Sequence, residues 1–235
     1  MLQLSKIKAI TLDLDDTLWP VEPTIARAEQ ALADWLAQHA PATARLLSDA
    51  PVRSQLRKTV LHAHPELAHD FSALRLAYLH RALGQAGEDT ALAHAAFAVF
   101  LEERQRVSLF PDSLAALAAL AARYPVVAVS NGNADVFRVG LGAYFVGSVS
   151  AQSSGVAKPH VDIFHAAARS VRCEPGEVLH VGDDAHLDVV GALNAGMQAA
   201  WINRDAKEWS HPQTPHVTAT DMAGLCVTLG IEPRI

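Results

Sequence analysis

Acidic residues gather where one short apolar run stops. Ile7, Ala9, Ile10, Thr11 and Leu12 read as a strand, and Asp13, Asp15, Asp16 and Thr17 follow at once. Burying a charge without a partner is expensive, so carboxylates at a strand end imply a task. A Mg²⁺ ion would supply one, because it takes hard oxygen ligands. Asp13 is the last residue in line with the strand, so its position is the best fixed of the three. Pairing it with Asp15 leaves Thr17 two residues further on. The competing reading is an acidic turn in which Asp or Thr caps the next helix. Three more places carry chemistry: Ser130 at the end of Val126–Ser130, Lys158 before Pro159, and Asp183, Asp184 and Asp188 after the run Val178–Val181.

These sites need elements to position them. From Pro23 to about Val107 the pattern is helical throughout. Ile25, Ala28, Leu32, Trp35 and Leu36 recur at helical spacing, with further helices over Val52–His62, Glu66–Gly84 and Thr90–Arg106. Pro41, Pro51, Pro65, Gly84 and Gly87 mark the breaks. An insertion of this size after one strand implies a separate helical domain. Beyond it, strand and helix alternate: a helix carrying Leu114, Leu117, Ala118 and Ala121, then strand Val126–Ser130. A helix is expected near Ala134–Leu141, and a strand near Val146–Val149. A helix follows Lys158-Pro159, then strand Val178–Val181, a helix closing at Asn194-Ala195-Gly196, strand Ala199–Ile202 and a short strand at His216–Ala219. Such alternation predicts a parallel, doubly wound α/β sheet. In open sheets of this kind, ligands bind outside the carboxyl ends of the strands, where the acids lie.

Composition narrows the class. Half of the 235 residues are hydrophobic, which is ample for a core, and the net charge is −6. No basic cluster is present to neutralise a phosphate backbone, so nucleic acid is not an expected partner. No apolar run suits a bilayer span, and none of the first residues reads as a signal peptide. Cys173 and Cys226 fit a reduced, cytoplasmic protein better than a disulfide framework. The 12 histidines are scattered; His62 with His64, and His160 with His165, lack the spacing and partners of a zinc site.

The order apolar strand, D-x-D-x-T, strand-end Ser130, Lys158-Pro159 and Gly182-Asp183-Asp184 with Asp188 resembles the haloacid dehalogenase-like (HAD) hydrolases. The resemblance covers the whole chain. Lys-Pro or Gly-Asp-Asp alone says little, whereas four such sites in order are specific. It implies a Rossmann-like core over 1–19 and 108–235, with a helical cap of subfamily I over 20–107.

The same resemblance implies roles. Asp13 is the nucleophile that forms an aspartyl-phosphate. Asp15 is the general acid and base. Mg²⁺ is held by Asp13, the Asp15 backbone carbonyl and Asp183. Ser130 with the N–H groups of Asn131 and Gly132 takes the phosphoryl oxygens, and Lys158 neutralises their charge. Thr17, Asp184 and Asp188 stand behind them, Asp188 either orienting Lys158 or only complementing a helix dipole.

Two other classes fit less well. A receiver-type signalling domain would be about half as long, would lack the insertion and would phosphorylate an Asp on a middle strand. A haloacid dehalogenase keeps the nucleophile but lacks the second acid and needs no metal. Within the superfamily, SNGNADVFRVGLGAYF, LHVGDDAHLDVVGALNAGMQAAWI and His69-Asp70-Phe71 with Arg75 resemble bacterial flavin mononucleotide phosphatases, which also act on a phosphorylated ribitylaminouracil. A phosphorylated small molecule is then the expected partner, with the protein a monomer or homodimer. His69, Arg75 and Trp19 become candidate contacts to it. Phe71, Arg75 and Tyr78 share one helix face.

Overall fold

The structure is a computed structural model and describes residues 1–232. The chain forms two compact units, one from residues 1–21 together with 107 onward, the other from Glu22–Arg106.

The first unit holds a six-stranded, wholly parallel sheet. Its strands are β1 (Ala9–Leu12), β2 (Val126–Ser130), β3 (Gly147–Ser150), β4 (Val178–Gly182), β5 (Gln198–Ile202) and β6 (Val217–Ala219), in the order β3-β2-β1-β4-β5-β6. Alternate side chains of a strand face opposite ways. Ile10, Leu12, Val126, Ala128, Leu179 and Val181 therefore enter one apolar core, while Ala9, Val127, Val129 and Val178 enter another. Both faces are covered, which is why these strands are apolar runs rather than alternating ones. A helix at Ser113–Ala121 and another at Met222–Thr228 cover the first face; Val161–Ser170 and Gly191–Asn194 cover the second.

The second unit contains α1 (Val21–His39, starting in the first), α2 (Pro41–Ser48), α3 (Ala50–Ala63), α4 (Phe71–Ala86) and α5 (Leu92–Arg104). Ala28, Leu32 and Leu36 of α1 recur every fourth residue and pack with Leu56, Val60, Leu79, Leu83 and Phe100. The expected helix from Glu66 starts later, at Phe71. Pro65–Leu67 forms a 3₁₀ turn, and the Asp70 carboxylate caps α4 by accepting from Ala73 N at 2.9 Å.

Two expectations need correction. Ala134–Leu141 is a series of turns, not a helix. Asp135 accepts from Phe137 N at 2.8 Å, and Gly140 lies at φ 86°, which stops any helix there. After β4, residues 185–190 wind as a π-helix, so that segment is wider than the expected α-helix.

Arg204, past β5, ties this unit together. Its guanidinium makes two 3.0 Å bonds to the Asp112 carboxylate and a third, also 3.0 Å, to the carbonyl of Thr17. Asp112 also accepts from Met222 N at 2.8 Å. Burial works against the charge on Asp112, but these donors outweigh it and hold the carboxyl below its ordinary value. A depressed carboxyl pKa contributes stability above the unfolded value, and that contribution is lost as pH falls through the folded value. Asp112→Ala is expected to cost about 1–3 kcal/mol in urea unfolding at pH 7. The difference from wild type should shrink as pH falls below about 4. A deficit independent of pH would show that packing, not charge, is what Asp112 supplies.

Candidate active site

The sheet register brings the acids together. Leu12 lies opposite Ala128 on one side and Val181 on the other. Asp13, Ser130 and Asp183 thus all fall within two residues beyond one level of the sheet. Asp13 continues β1, its N–H donating to Val181 O at 2.9 Å. The chain then turns back on itself. Asp16 sits at φ 57°, a conformation Asp tolerates better than most residues, and its N–H reaches Trp19 O at 2.7 Å. Its carboxylate accepts from Val21 N at 2.8 Å and so starts α1.

Lys158 is buried among the acids. Its ammonium donates to Asp13 Oδ1 and, at 2.6 Å, to Asp188 Oδ1. Asp188 is itself held by His180 Nε2 at 3.1 Å and by Asp184 N at 3.0 Å. His180 Nδ1 lies 2.9 Å from Thr11 Oγ1, directly across the β1–β4 pairing. Thr17 Oγ1 lies 3.0 Å from Asp183 Oδ1 and 3.4 Å from Asp13 Oδ2. Asp188 is thus in direct hydrogen-bond contact with the lysine.

The charges are strongly coupled. Burial raises the Asp13 carboxyl well above its usual range; Lys158 opposes this, and Asp188 and Asp183 reinforce it. Burial disfavours a charge on Lys158 too, but Asp13 and Asp188 outweigh it and keep the ammonium firmly protonated. Asp188 is likewise held low despite its burial, by Lys158 and His180. Asp183 is pushed up to about 7, first by burial and then by Asp188. Burial lowers His180, opposed by Asp188, so the imidazole is neutral at pH 7.

The remaining candidates fall into several groups. Ser130 is buried at its strand end, but its Oγ accepts the Gly132 N–H at 3.0 Å, which ties that donor inside the loop. The Asn131 side chain clamps the backbone of Lys158 from both sides, at 2.7 and 3.0 Å. Sequence reasoning assigned only its N–H and missed this clamp. Asp184 caps residues 185–190 by accepting from His186 N and Leu187 N. Trp19, expected on a pocket wall, is wholly buried, and its indole N–H donates to Asp15 Oδ1 at 2.8 Å. In the helical unit Arg75 pairs with Glu29 at 2.9 Å and stacks on Phe100, 3.6 Å from the ring centroid. Phe71, Arg75 and Tyr78 line a cavity of about 310 Å³ with Arg57, Val60, Leu61 and Leu74; His69 is not among its lining residues.

Oxygen atoms of Asp13, Asp183 and Asp188 lie within 4.8 Å of one another. Both oxygens of Asp188 and both of Asp13 accept protein hydrogen bonds, whereas Asp183 accepts one from Thr17 at Oδ1. Two carboxylates share the Lys158 ammonium and Asp183 lies close beside them, and a divalent cation on hard oxygen ligands would balance the remaining charge. The donor set fits Mg²⁺.

A parallel sheet thus gathers a carboxylate, a buried lysine and further acids at its strand ends. Comparisons with known proteins name the family. The family of haloacid dehalogenase-like hydrolases matches residues 7–196, and the chain belongs to it. The 5-amino-6-(5-phospho-D-ribitylamino)uracil phosphatase YigB of Escherichia coli is 37% identical over 230 residues, covering 94% of this chain and 96% of that protein. A phosphoserine phosphatase of Thermus thermophilus is 30% identical over 147 residues, covering 60% of this chain and 59% of its own. A crystal structure described as 2-haloacid dehalogenase from Pseudomonas syringae superposes with TM-score 0.91 at 37% identity, covering 95% of this chain and 98% of that one. This chain is a HAD-like phosphatase, a phosphoric monoester hydrolase.

Gly182 is a sensitive position. A Cβ there would stand 2.2 Å from Asp188 Cγ, so any side chain displaces the carboxylate that orients Lys158. Gly182→Ala is expected to cost roughly 1–3 kcal/mol by overpacking. Moving the lysine should also lower kcat by about 10²-fold. Melting and steady-state rates on the same preparation check this, and a variant with wild-type kcat would show that Asp188 does not set the lysine's position.

Proposed function

We propose that this phosphatase works through an aspartyl-phosphate on Asp13 and acts on a flavin-type phosphate: flavin mononucleotide or its phosphorylated ribityl precursor. The observation that carries the mechanism is Asp13 itself, held at the end of β1 by Lys158 and Thr17, with Asp183 in reach and Asp15 two residues on. Mg²⁺ bound by Asp13, the Asp15 carbonyl and Asp183 would offset the repulsion between a carboxylate and a phosphate dianion. Asp13 attacks phosphorus, and the leaving alkoxide takes a proton from Asp15. Asp15 then takes a proton from water, which attacks the acyl phosphate, frees inorganic phosphate and restores Asp13. Lys158 balances charge on the phosphoryl oxygens, and Ser130 is a further donor to them.

The similar Pseudomonas structure, described as a 2-haloacid dehalogenase, raises dehalogenation as a second reading on the same family fold. Asp15 and Asp183 favour phosphate chemistry, since displacement of halide needs neither a proton donor nor a metal. Excess EDTA is expected to abolish hydrolysis of phosphomonoesters, and Mg²⁺ to restore it. Asp13→Asn should form no phosphoenzyme, and Asp15→Asn should lose about 10²–10⁴ in rate. Halide release from a 2-haloacid, with no phosphatase activity, would move the assignment to the dehalogenases.

Support for the substrate is the ribitylaminouracil phosphatase relative together with the cavity at Phe71, Arg75 and Tyr78. In this reading residues 20–107 act as a cap domain that recognises the group carried by the phosphate. An aromatic can stack on a planar ring, and a guanidinium can bond its carbonyls. Arg75 is already paired with Glu29, so it would serve both fold and ligand. His69 is the other polar candidate. The free thiols of Cys173 and Cys226 and the absence, among the described residues, of a helix able to cross a membrane are in keeping with a cytoplasmic enzyme. Wild type should favour flavin mononucleotide or the ribityl precursor over a simple sugar phosphate in kcat/KM. Arg75→Ala, checked for folding by its melting curve, should lose about tenfold or more on the flavin and little on the sugar phosphate. Equal loss on both would leave the substrate class open.

A further inference from the structure

We infer that the helical unit carries a second ligand site, separate from the one at Arg75: a groove lined by α3, α4 and α5 that takes a small amphipathic anion, a ring-bearing apolar body with one acidic group. The groove holds about 510 Å³, against about 310 Å³ beside Phe71 and Arg75. Small-molecule pockets run from about 300 to 1,000 Å³. The site depends neither on the aspartyl-phosphate mechanism nor on a flavin substrate. α4 turns different faces to the two cavities. Ala73, Leu76, Ala77, His80 and Arg81 recur three and four apart and line the larger one; Phe71, Leu74, Arg75 and Tyr78 line the other.

The floor of the groove is apolar. Val60 and Ala93 are buried, whereas Leu76 and Ala77 are only half-buried, so a ring laid there would remove apolar surface still open to water. The polar lining residues are His64, His80, Arg81 and His94. None is a carboxylate, in a chain whose net charge is −6. His64 already faces Glu66 at 3.3 Å. The side chains of His80, Arg81 and His94 are exposed and, among the described residues, make no hydrogen bond or ion pair. Arg75, by contrast, would have to share itself with Glu29. Arg81 can turn onto an anion without giving up a protein partner, so nothing is subtracted from the bond it forms. A guanidinium offers donors only, in a plane that matches the oxygens of an acid group, and imidazole adds ring N–H donors. An apolar floor beneath such a rim selects a molecule that carries both an apolar body and an anion.

8-Anilinonaphthalene-1-sulfonate has that form and fluoresces when bound. Titrated into the full-length protein, it should occupy one saturable site. Arg81→Gln should weaken it at least about tenfold, as expected for losing one hydrogen bond between charged groups. N-phenyl-1-naphthylamine keeps the rings and lacks the sulfonate, so its affinity should change by no more than about twofold in Arg81→Gln. Ala77→Phe fills the floor and should weaken both dyes, whereas Arg75→Ala should weaken neither. Melting curves check that each variant is folded. Arg81 is exposed, so its comparison decides the matter alone if Ala77→Phe unfolds. 2-Naphthoate should displace the sulfonate dye; polyglutamate, which has charge without an apolar body, should not. Equal loss of both dyes in Arg81→Gln means that packing rather than charge selects the ligand, and overturns the inference. So does dye binding that follows Arg75 instead of Arg81, displacement by polyglutamate, or no saturable binding at all.

Discussion

One buried ammonium governs the site. Lys158 lies between Asp13 and Asp188 with almost no exposure to water, and an isolated charge there would be prohibitive. Each of the three ions is tolerable only because the others are present. Removing one partner of such a set leaves a buried charge uncompensated, which costs far more than the pair contributes. The surrounding residues therefore serve Lys158 first. Asn131 grips its backbone, and His180 and the Asp184 N–H hold the carboxylate that faces it.

That arrangement depends on sheet register at single-residue precision. Thr11 pairs with His180 because β1 and β4 run parallel with Leu12 beside Val181. A slip of one residue would turn His180 to the other face and strip Asp188 of a donor. The π-helical winding of residues 185–190 then places Asp188 back against Gly182, where only a missing side chain leaves room. A wide helical turn next to a functional carboxylate is a recurrent use of this rare winding. Arg204 links the same region outward, joining the Thr17 carbonyl to Asp112 and to the first turn of the C-terminal helix. Core packing and the charge network thus restrain the same loop, 13–19, from two sides.

Much of this was legible in the residue order, because the signals were local. Val126–Ser130 and Val178–Val181 are mostly apolar, rich in Val and followed by turn residues, and both are strands. The helices of the insertion announced themselves by spacing. The segment Ala134–Leu141 misled because its apolar residues hinted at a helix, while Asp135 and Gly140 imposed turns. Trp19 was misplaced for another reason: nothing in a sequence says whether an indole after a turn faces a pocket or folds under it. The side-chain clamp of Asn131 and the His180–Asp188 contact are contacts between distant segments, and no spacing rule encodes them. Arg75 falls between the two cases. Its helix face was readable, but its partner Glu29 lies 46 residues away.

Percentage identity is not what separates the chemistries in this family, because the chain is 37% identical both to a phosphatase and to a structure described as a dehalogenase. Fold and identity report the sheet and its packing; reaction class resides in a few atoms at the strand ends. Both chemistries need a carboxylate nucleophile and a cation beside it, and Asp13 with Lys158 would serve either. A phosphate dianion adds two requirements. Its charge must be offset before a carboxylate can approach, and its alkoxide must be protonated as it leaves. Asp13, Asp183 and Asp188 lie within reach of one cation, which would meet the first requirement, and burial and Asp188 push the Asp183 carboxyl up to about 7. Asp15, two residues beyond Asp13, would answer the second in the proposed mechanism. These are costs to folding that halide displacement would give no reason to bear, and they favour phosphoryl transfer on grounds that percentage identity does not supply.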